Sequence, residues 1–417
     1  MPAPRLRRFW RPWLSRTHAW AGLVLSVWLA LLGATGTLLA FRDDWVRAAV
    51  PEAAAPPPEQ TPEGLAARTR AAEAAFGSGA VRRVLFAGGR IGVDQVYLND
   101  GGGAYLDPRT GAVLSRWEEH GRAVDILFEL HHRLLLGEAG RQPVGILGLA
   151  LVLLTLAGLF LAPASWRSFR GRVWPANGRR AALLAAHRDL GLIAAPFLIL
   201  MALSGAALCF PQSFRAVAAW LSGPLPGPAA TRPEGPPPPA IPWEAVFRAA
   251  RDAFPDAAAR MANWPTASSP GVELRLRRAA EWHPNGRTTL RADPRDGREL
   301  ARFDALSAPP AFRALLEAYA VHSARVGGRP WQAAVALSGV ALALLSGYGA
   351  LAFVRRLRNR PGTRGTGAGR AAPHGAVTGY RKGPAPSLAQ PHHSESDHEP
   401  DHRSLVLPRP AAGHPGD

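Results

Sequence analysis

Cysteine is almost missing: Cys209 stands alone in 417 residues. An intramolecular disulfide framework is therefore excluded, and so is any Cys-x-x-Cys-His attachment of a c-type haem. Lysine is nearly absent too, while arginine, alanine, proline and glycine abound, a bias that reflects genome composition. No nucleotide loop is present, because Gly101-Gly102-Gly103 fits neither G-x-G-x-x-G nor a Walker pattern. There is no Ser-His-Asp order, no pair of catalytic carboxylates and no His-Glu-x-x-His. The net charge of +18 invites a nucleic-acid reading, but no aromatic-basic motif of an RNA or DNA module accompanies it. The arginines instead flank apolar runs and the tail, which is a pattern of membrane topology.

What is present is apolar sequence, 47% of the chain, gathered into four dense runs. The stretch Thr17–Trp45 is long enough to cross a bilayer as a helix, since about 20 apolar residues span the hydrocarbon core. It carries a histidine at its front edge, and it recurs. His18 precedes Gly22, Gly36 and Phe41 by the same offsets at which His187 precedes Gly191, Gly205 and Phe210. The chain therefore reads as two copies of one unit.

In order, the expected organisation is a basic cytoplasmic N-terminus over 1–16, kept as an uncleaved anchor, and a first span over 17–41. A small α+β module follows over 42–130. Its proline-rich connector, Pro51 to Pro62, leads to a helix around Leu65 to Phe76, then strands, then a hairpin about Asp107-Pro108-Arg109-Thr110-Gly111. The second span lies within 131–163. The short loop 164–186 holds Arg167, Arg170, Arg172, Arg179 and Arg180 with no acid, so it belongs on the cytoplasmic side. A third span covers 187–210 and tolerates Pro196. A second α+β module over 211–320 opens with another proline-rich connector, Pro224 to Pro242, and repeats the turn as Asp293-Pro294-Arg295-Asp296-Gly297. The fourth span lies within 321–354, stopped by Arg355, Arg356, Arg358 and Arg360. The segment 355–417 is expected to be a disordered cytoplasmic tail. Gly33, Gly36, Gly158, Gly205 and Gly347 permit close approach of helices or of a flat macrocycle. Trp10, Trp13, Trp20, Trp45 and Trp331 fit interfacial anchoring.

This topology sorts the histidines. His18 and His187 lie at the cytoplasmic ends of the first and third spans; His131, His132 and His322 lie at the outer ends of the second and fourth. A pseudo-twofold arrangement would bring His18 opposite His187, and His131 or His132 opposite His322. Such imidazole pairs on facing helices are what a b-type haem needs, since the iron takes two axial nitrogens and the porphyrin fills an apolar bundle. The competing reading has each histidine among headgroups or paired with a carboxylate. His131 to Gly137 and His322 to Gly328 share an offset, which favours His131 and leaves His132 as a neighbour. His120 and His283 read as surface-loop residues, and His392, His393, His398 and His402 as part of a solvated tail. Cys209 reads as a small packing residue.

Four features together resemble the PepSY-associated transmembrane family, whose members include bacterial inner-membrane ferric-siderophore reductases. These are His18-x-x-x-Gly22, His187-x-x-x-Gly191, the Asp-Pro-x-x-Gly hairpins, and Leu130-His131 with Val321-His322. The resemblance covers roughly Arg16 to Arg358. It implies a four-helix membrane bundle with two periplasmic PepSY modules, both termini cytoplasmic, and haem b, one or two, held by His18, His187, His131 and His322. It also implies reduction of iron(III) chelates such as ferric siderophores. No flavin or nicotinamide module is fused, so a separate donor, a quinol or a cytoplasmic reductase, would be required. The alternative is a membrane-anchored sensor or scaffold whose PepSY modules bind a periplasmic protein. Direct transport is disfavoured, because the spans hold no charged residue mid-helix.

Overall fold

The structure, a computed structural model, describes residues 3–162, 168–225 and 240–358, together with 233 and 238. Most of the second proline-rich connector, Arg167 and residues 359–417 of the expected tail, with its six histidines, lie outside the described residues; residues 355–358, placed in that tail from sequence, are helical.

Four helices are long and apolar enough to cross a membrane: α1 (Ala3–Leu39), α5 (Arg141–Leu161), α6 (Arg180–Cys209) and α10 (Gly328–Arg358). Their outward side chains, such as Val24, Val27, Leu153 and Leu337, are largely exposed. In water that would be costly; against lipid tails it is neutral, so the four helices place this protein in a bilayer. The first helix is continuous through the boundary expected at residues 16 and 17, with Pro12 inside it. Glycine sets how closely the helices meet. A Cβ on Gly33 would fall 2.5 Å from the Gly339 carbonyl oxygen, and one on Gly339 equally close to that of Gly33. At this contact Thr37 donates to the Ala336 carbonyl at 3.0 Å. On the other side of the bundle, Gly145 clears the space filled by Phe210 and the buried Cys209.

Two short helices prepare the bundle at one end. The helix α4 (Ala123–Arg133) precedes α5, and α9 (Pro310–His322) precedes α10. Both connections use left-handed backbone: Leu134, Leu135 and Gly137 in the first, Ala324, Gly327 and Gly328 in the second. Left-handed leucines are strained. The sharp reversal they make separates each short helix from its span.

The two sheet-forming segments, read from sequence as separate modules, share one antiparallel sheet. Its strands are β1 (Val81–Leu85), β2 (Asp94–Leu98), β3 (Gly103–Leu106), β4 (Val113–Trp117), β5 (Ala257–Asn263), β6 (Val272–Arg278), β7 (Thr288–Ala292) and β8 (Glu299–Phe303). Their order is β4-β3-β2-β1-β5-β6-β7-β8, so the segments meet where β1 pairs with β5, Val84 opposite Ala262. Each Asp-Pro-x-x-Gly motif closes its hairpin alike. Asp107 and Asp293 accept from the amides of Arg109 and Arg295, and Gly111 and Gly297 take positive φ.

Two helices cover one face of the sheet. In α8 (Trp243–Ala253), Trp243, Val246, Phe247 and Ala250 recur at helical spacing and are buried; this is the stripe that an amphipathic helix presents to a core. Thr61 caps α3 (Pro62–Phe76) by accepting from the Gly64 amide, and Pro62 begins it. The Glu73 carboxylate on α3 accepts from the indoles of Trp243 and Trp264, each at 3.0 Å, linking the two segments a second time. The opposite face holds a smaller core of Val93, Tyr105 and Trp117, covered by Val46 and Val50 from α2 (Arg42–Ala49) and its C-terminal end. That helix joins sheet to bundle. Asp44 accepts from Arg90 of the β1–β2 loop and from Arg329 and Gln332 of α10. The Arg329 hydrogen bond, with Gln332 and Arg90, pulls the Asp44 carboxyl down to about 2.

Beneath α3, Arg68 and Asp94 form a two-pronged ion pair with side chains 7% and 3% exposed. Removing one partner strands the other charge, so Asp94→Ala is expected to destabilise the fold by roughly 3–5 kcal/mol. Arg248→Ala, at an exposed pair with Glu244, is expected to cost less than about 1 kcal/mol. Thermal unfolding of the detergent-solubilised chain measures both.

Candidate functional site

The bundle brings four of the five candidate histidines together in two facing pairs. His18 of α1 faces His187 of α6, ring centroids 6.3 Å apart and planes at 80°. His131 of α4 faces His322 of α9, at 6.1 Å and 44°. The fifth, His132, turns away and stacks on Phe128 at 5.2 Å. Adjacent helical residues point about 100° apart, so only one of the doubled histidines can enter the bundle. His18 to Gly36 along α1 spans about 27 Å, which separates the two pairs along the bundle.

Three of the four rings are held by a hydrogen bond to a neighbouring helix. His187 Nδ1 donates to the Leu345 carbonyl of α10 at 2.9 Å. His322 Nδ1 donates to the Met201 carbonyl of α6 at 3.0 Å, with Ser204 Oγ at 3.1 Å. His131 Nδ1 lies 2.9 Å from Thr35 Oγ1. That hydroxyl already donates to Leu31 O, so the imidazole is the donor. His18 Nδ1 is buried with no hydrogen-bond partner among the described residues. A carbonyl can only accept, so on His187 and His322 the proton sits on Nδ1 and the Nε2 lone pair is left for a ligand.

Glycines make room for these rings. A Cβ on Gly36 would stand 3.0 Å from His131 Cε1, and one on Gly205 2.9 Å from His322 Cε1. Gly158 and Gly349 lie beside His18 and His187 at 3.5 and 3.4 Å in the same sense. Gly347, singled out from sequence, faces open space, and Gly349 has its place. Thr35 and Ser204, like Gly36 and Gly205, follow His18 and His187 at matched offsets. Around the first pair is a cavity of about 630 Å³, walled mainly by leucine, glycine and alanine with Thr155, Phe353, Arg180 and Arg356. Its size lies in the range of sites that enclose a small molecule or cofactor.

Other side chains were not legible as site residues. Asp189, two residues after His187, is fully buried; it accepts from the amides of Arg170 and Arg172 and from Arg188, tying the preceding loop to α6. An acid inside an apolar run was the available signal. His283, read as a surface residue, is only 3% exposed. Its loop folds back on α9, where Glu317 accepts from the Trp282 amide and Tyr319 lies against the imidazole at 5.0 Å. His120 is exposed, as expected of a loop residue. Among the described residues no group of three or more His, Cys, Asp or Glu could hold a bare metal ion.

Two measurements test this packing. Gly205→Ala is expected to destabilise by about 1–3 kcal/mol through overpacking against His322, whereas Gly347→Ala is expected to stabilise by up to about 1 kcal/mol through helix propensity. Burial, with Arg287, Arg275, Arg325 and Arg277 around it, pushes the His283 imidazole down to about 2. In the unfolded chain the group titrates near 6.5, so its contribution is intact above that pH and is lost as the solution is acidified. Between about pH 6.5 and pH 5 the loss is about 2 kcal/mol. Unfolding midpoints of His283→Gln are accordingly expected to fall less steeply with acid than those of wild type.

Comparison with known sequences agrees with this architecture. Over 124 residues the chain is 35% identical to Uncharacterized protein PA4219 of Pseudomonas aeruginosa; the match spans 27% of this chain and 31% of that relative's length. Residues 15–356 match the family described as PepSY-associated TM region. That stretch takes in all four spans, both histidine pairs and the whole sheet, and the chain belongs to this family.

Proposed function

We propose that the chain is a haem-b electron-transfer protein of the bacterial inner membrane, with both termini cytoplasmic, that reduces a ferric chelate on its sheet-bearing, periplasmic side. The observation that carries this reading is the separation within the histidine pairs. Two imidazoles that shared one metal ion through a nitrogen each, at about 2 Å with about 1.1 Å from nitrogen to ring centre, would have centroids up to about 6 Å apart. Both pairs stand at that distance. A pair of imidazoles with no third protein donor suits a macrocycle that brings its own four nitrogens, and suits a bare ion poorly.

His18 with His187, and His131 with His322, would hold the haem iron. When bound, haem iron supplies one-electron oxidation and reduction. The chain's own residues orient and insulate. The Leu345 and Met201 carbonyls and the Thr35 hydroxyl fix the Nδ1–H tautomer, which presents Nε2 and raises its basicity. The leucine-lined cavity excludes water, and Arg180 and Arg356 at its edge suit carboxylate groups of a macrocycle. The matched offsets of His, Thr or Ser, and Gly in α1 and α6 support a two-repeat frame. Arginines flanking the His18–His187 end, among them Arg11, Arg179 and Arg355, support a cytoplasmic setting for that end. Electrons would come from a separate quinol or cytoplasmic reductase. Iron(II) binds hard oxygen chelators more weakly than iron(III), so reduction would free the metal.

Absorption spectroscopy of the purified chain is expected to show a Soret band and a reduced α-band. Pyridine haemochrome assay is expected to find His187→Ala and His322→Ala each with about half the wild-type haem, and His132→Ala with all of it. A chain purified from haem-replete cells without a Soret band would overturn the proposal in favour of a sensor or scaffold.

A further inference from the structure

A second cavity, of about 230 Å³, lies between the sheet and the bundle, on the side of the His131–His322 pair. Its walls come from separate parts of the chain: Arg42 and Asp43 at the start of α2, Arg90 in the β1–β2 loop, Arg260 on β5, Arg277 on β6, and Arg325 after α9. The five arginines are not equivalent. Arg90 pairs with Asp44, and Arg325 with Asp43. Arg260 reaches only backbone oxygens, Pro284 O at 3.1 Å and Ala87 O at 3.0 Å, and Arg277 only Glu281 O at 3.3 Å. Arg42 has no hydrogen-bond or ion-pair partner among the described residues. Three guanidinium groups thus face one cavity with no carboxylate hydrogen-bonded to them among the described residues. Asp43 lines the same cavity. Against its burial, Arg42 is held above its ordinary value by Tyr97, Tyr319, Asp43 and Asp125.

The fold makes space for these cations. A Cβ on Gly88 would fall 1.3 Å from Arg260 Nη1, so glycine is needed where the guanidinium passes under the β1–β2 loop. Burial together with Arg277 and Arg68 pushes Arg260 down to about 10, and burial with Arg275 does the same to Arg287 just beyond. Burial leads both shifts, and the neighbouring guanidinium groups add to it. Tyr97, Tyr319, Trp282 and Asn285 add neutral donors and ring surface to the walls. Tyr319 lies one helical turn before His322 on α9, so the cavity adjoins the second histidine pair.

We propose that this cavity is a binding site for a small, multiply charged carboxylate, bound by Arg42, Arg260 and Arg277. Planar guanidinium forks match carboxylates in two-pronged hydrogen bonds. The volume is below the 300–1,000 Å³ or so that encloses a drug-sized ligand. It takes a di- or tricarboxylate whole, or one acidic arm of a larger chelate. Lipid is disfavoured as the occupant, because sheet loops at Gly88–Arg90 and Trp282–Asn285 wall the cavity. The functional meaning rests on the reading above: an acceptor held here would carry its negative charge beside His322.

Isothermal titration of citrate into the full-length protein in phosphatidylcholine nanodiscs tests the site. Wild type is expected to bind one citrate, more weakly as ionic strength rises. Arg42→Gln and Arg277→Gln are each expected to weaken binding roughly 10- to 100-fold, and the exposed Arg248→Gln to leave it unchanged. Unfolding midpoints confirm that the variants fold; if Arg42→Gln does not, Arg277→Gln carries the test, since its guanidinium meets only one carbonyl. Absence of citrate binding, or variants that bind like wild type, would overturn the proposal. So would binding abolished by phosphatidylglycerol nanodiscs, which would assign the cations to headgroups. The titration needs no redox chemistry, so its failure in a protein with a Soret band overturns only this site. Citrate binding without that band overturns only the haem reading.

Discussion

An imidazole inside an apolar bundle needs an acceptor for its Nδ1 proton and a gap wide enough for its ring, and the four spans supply the gap four times and the acceptor three times. No histidine here is supported by its own helix. The ring on α1, His18, lies beside Gly158 of α5, and the ring on α6, His187, takes Leu345 and Gly349 from α10. At the other end α1 and α6 become the support, offering Thr35 and Gly36 to His131 and Ser204 and Gly205 to His322. The spans α1, α6 and α10 are thereby tied to their neighbours by polar contacts with defined direction. Leucine packing alone would not set its rotation, because lipid tails are as apolar as the partner helix.

The sheet depends on the bundle through a different chemistry. Between them stand Asp43 and Asp44, whose carboxylates meet Arg325, Arg329 and Arg90 from three other segments. Individually, exposed ion pairs of this kind contribute little. Here they share one short helix, α2, whose Val46 also packs into the core formed with Tyr105 and Trp117. Sheet and bundle are thus registered by charge at the seam and by apolar contact just above it. The same seam leaves Arg42, Arg260 and Arg277 without a hydrogen-bonded carboxylate, which is the ground for proposing an anion site in the cavity beside it.

Spans, turns and the identity of the candidate ligands were legible in the chain because each is written locally. About 20 consecutive apolar residues make a span in any context, an Asp-Pro-x-x-Gly segment closes a hairpin from its own hydrogen bonds, and shared offsets tie His18 to His187 and His131 to His322 before any coordinates exist. Gly36, Gly158 and Gly205 were legible as sites of close approach, though not what approaches them.

Tertiary structure decided the rest. Joining two expected modules into one sheet depends on β1 meeting β5 across more than 170 residues of chain, and edge strands carry no local mark of their partner. His131 was favoured over His132 by its offset to Gly137, but that its ring and not that of His132 faces His322 turns on the rotation of α4. Gly349 in place of Gly347, the burial of His283 and the role of Asp189 all depend on which neighbouring element covers them. Local pattern determines where a helix or strand forms and which side chains it carries. Only packing determines which groups face each other, and the histidine pairs and the arginine-lined cavity both consist of such facing groups.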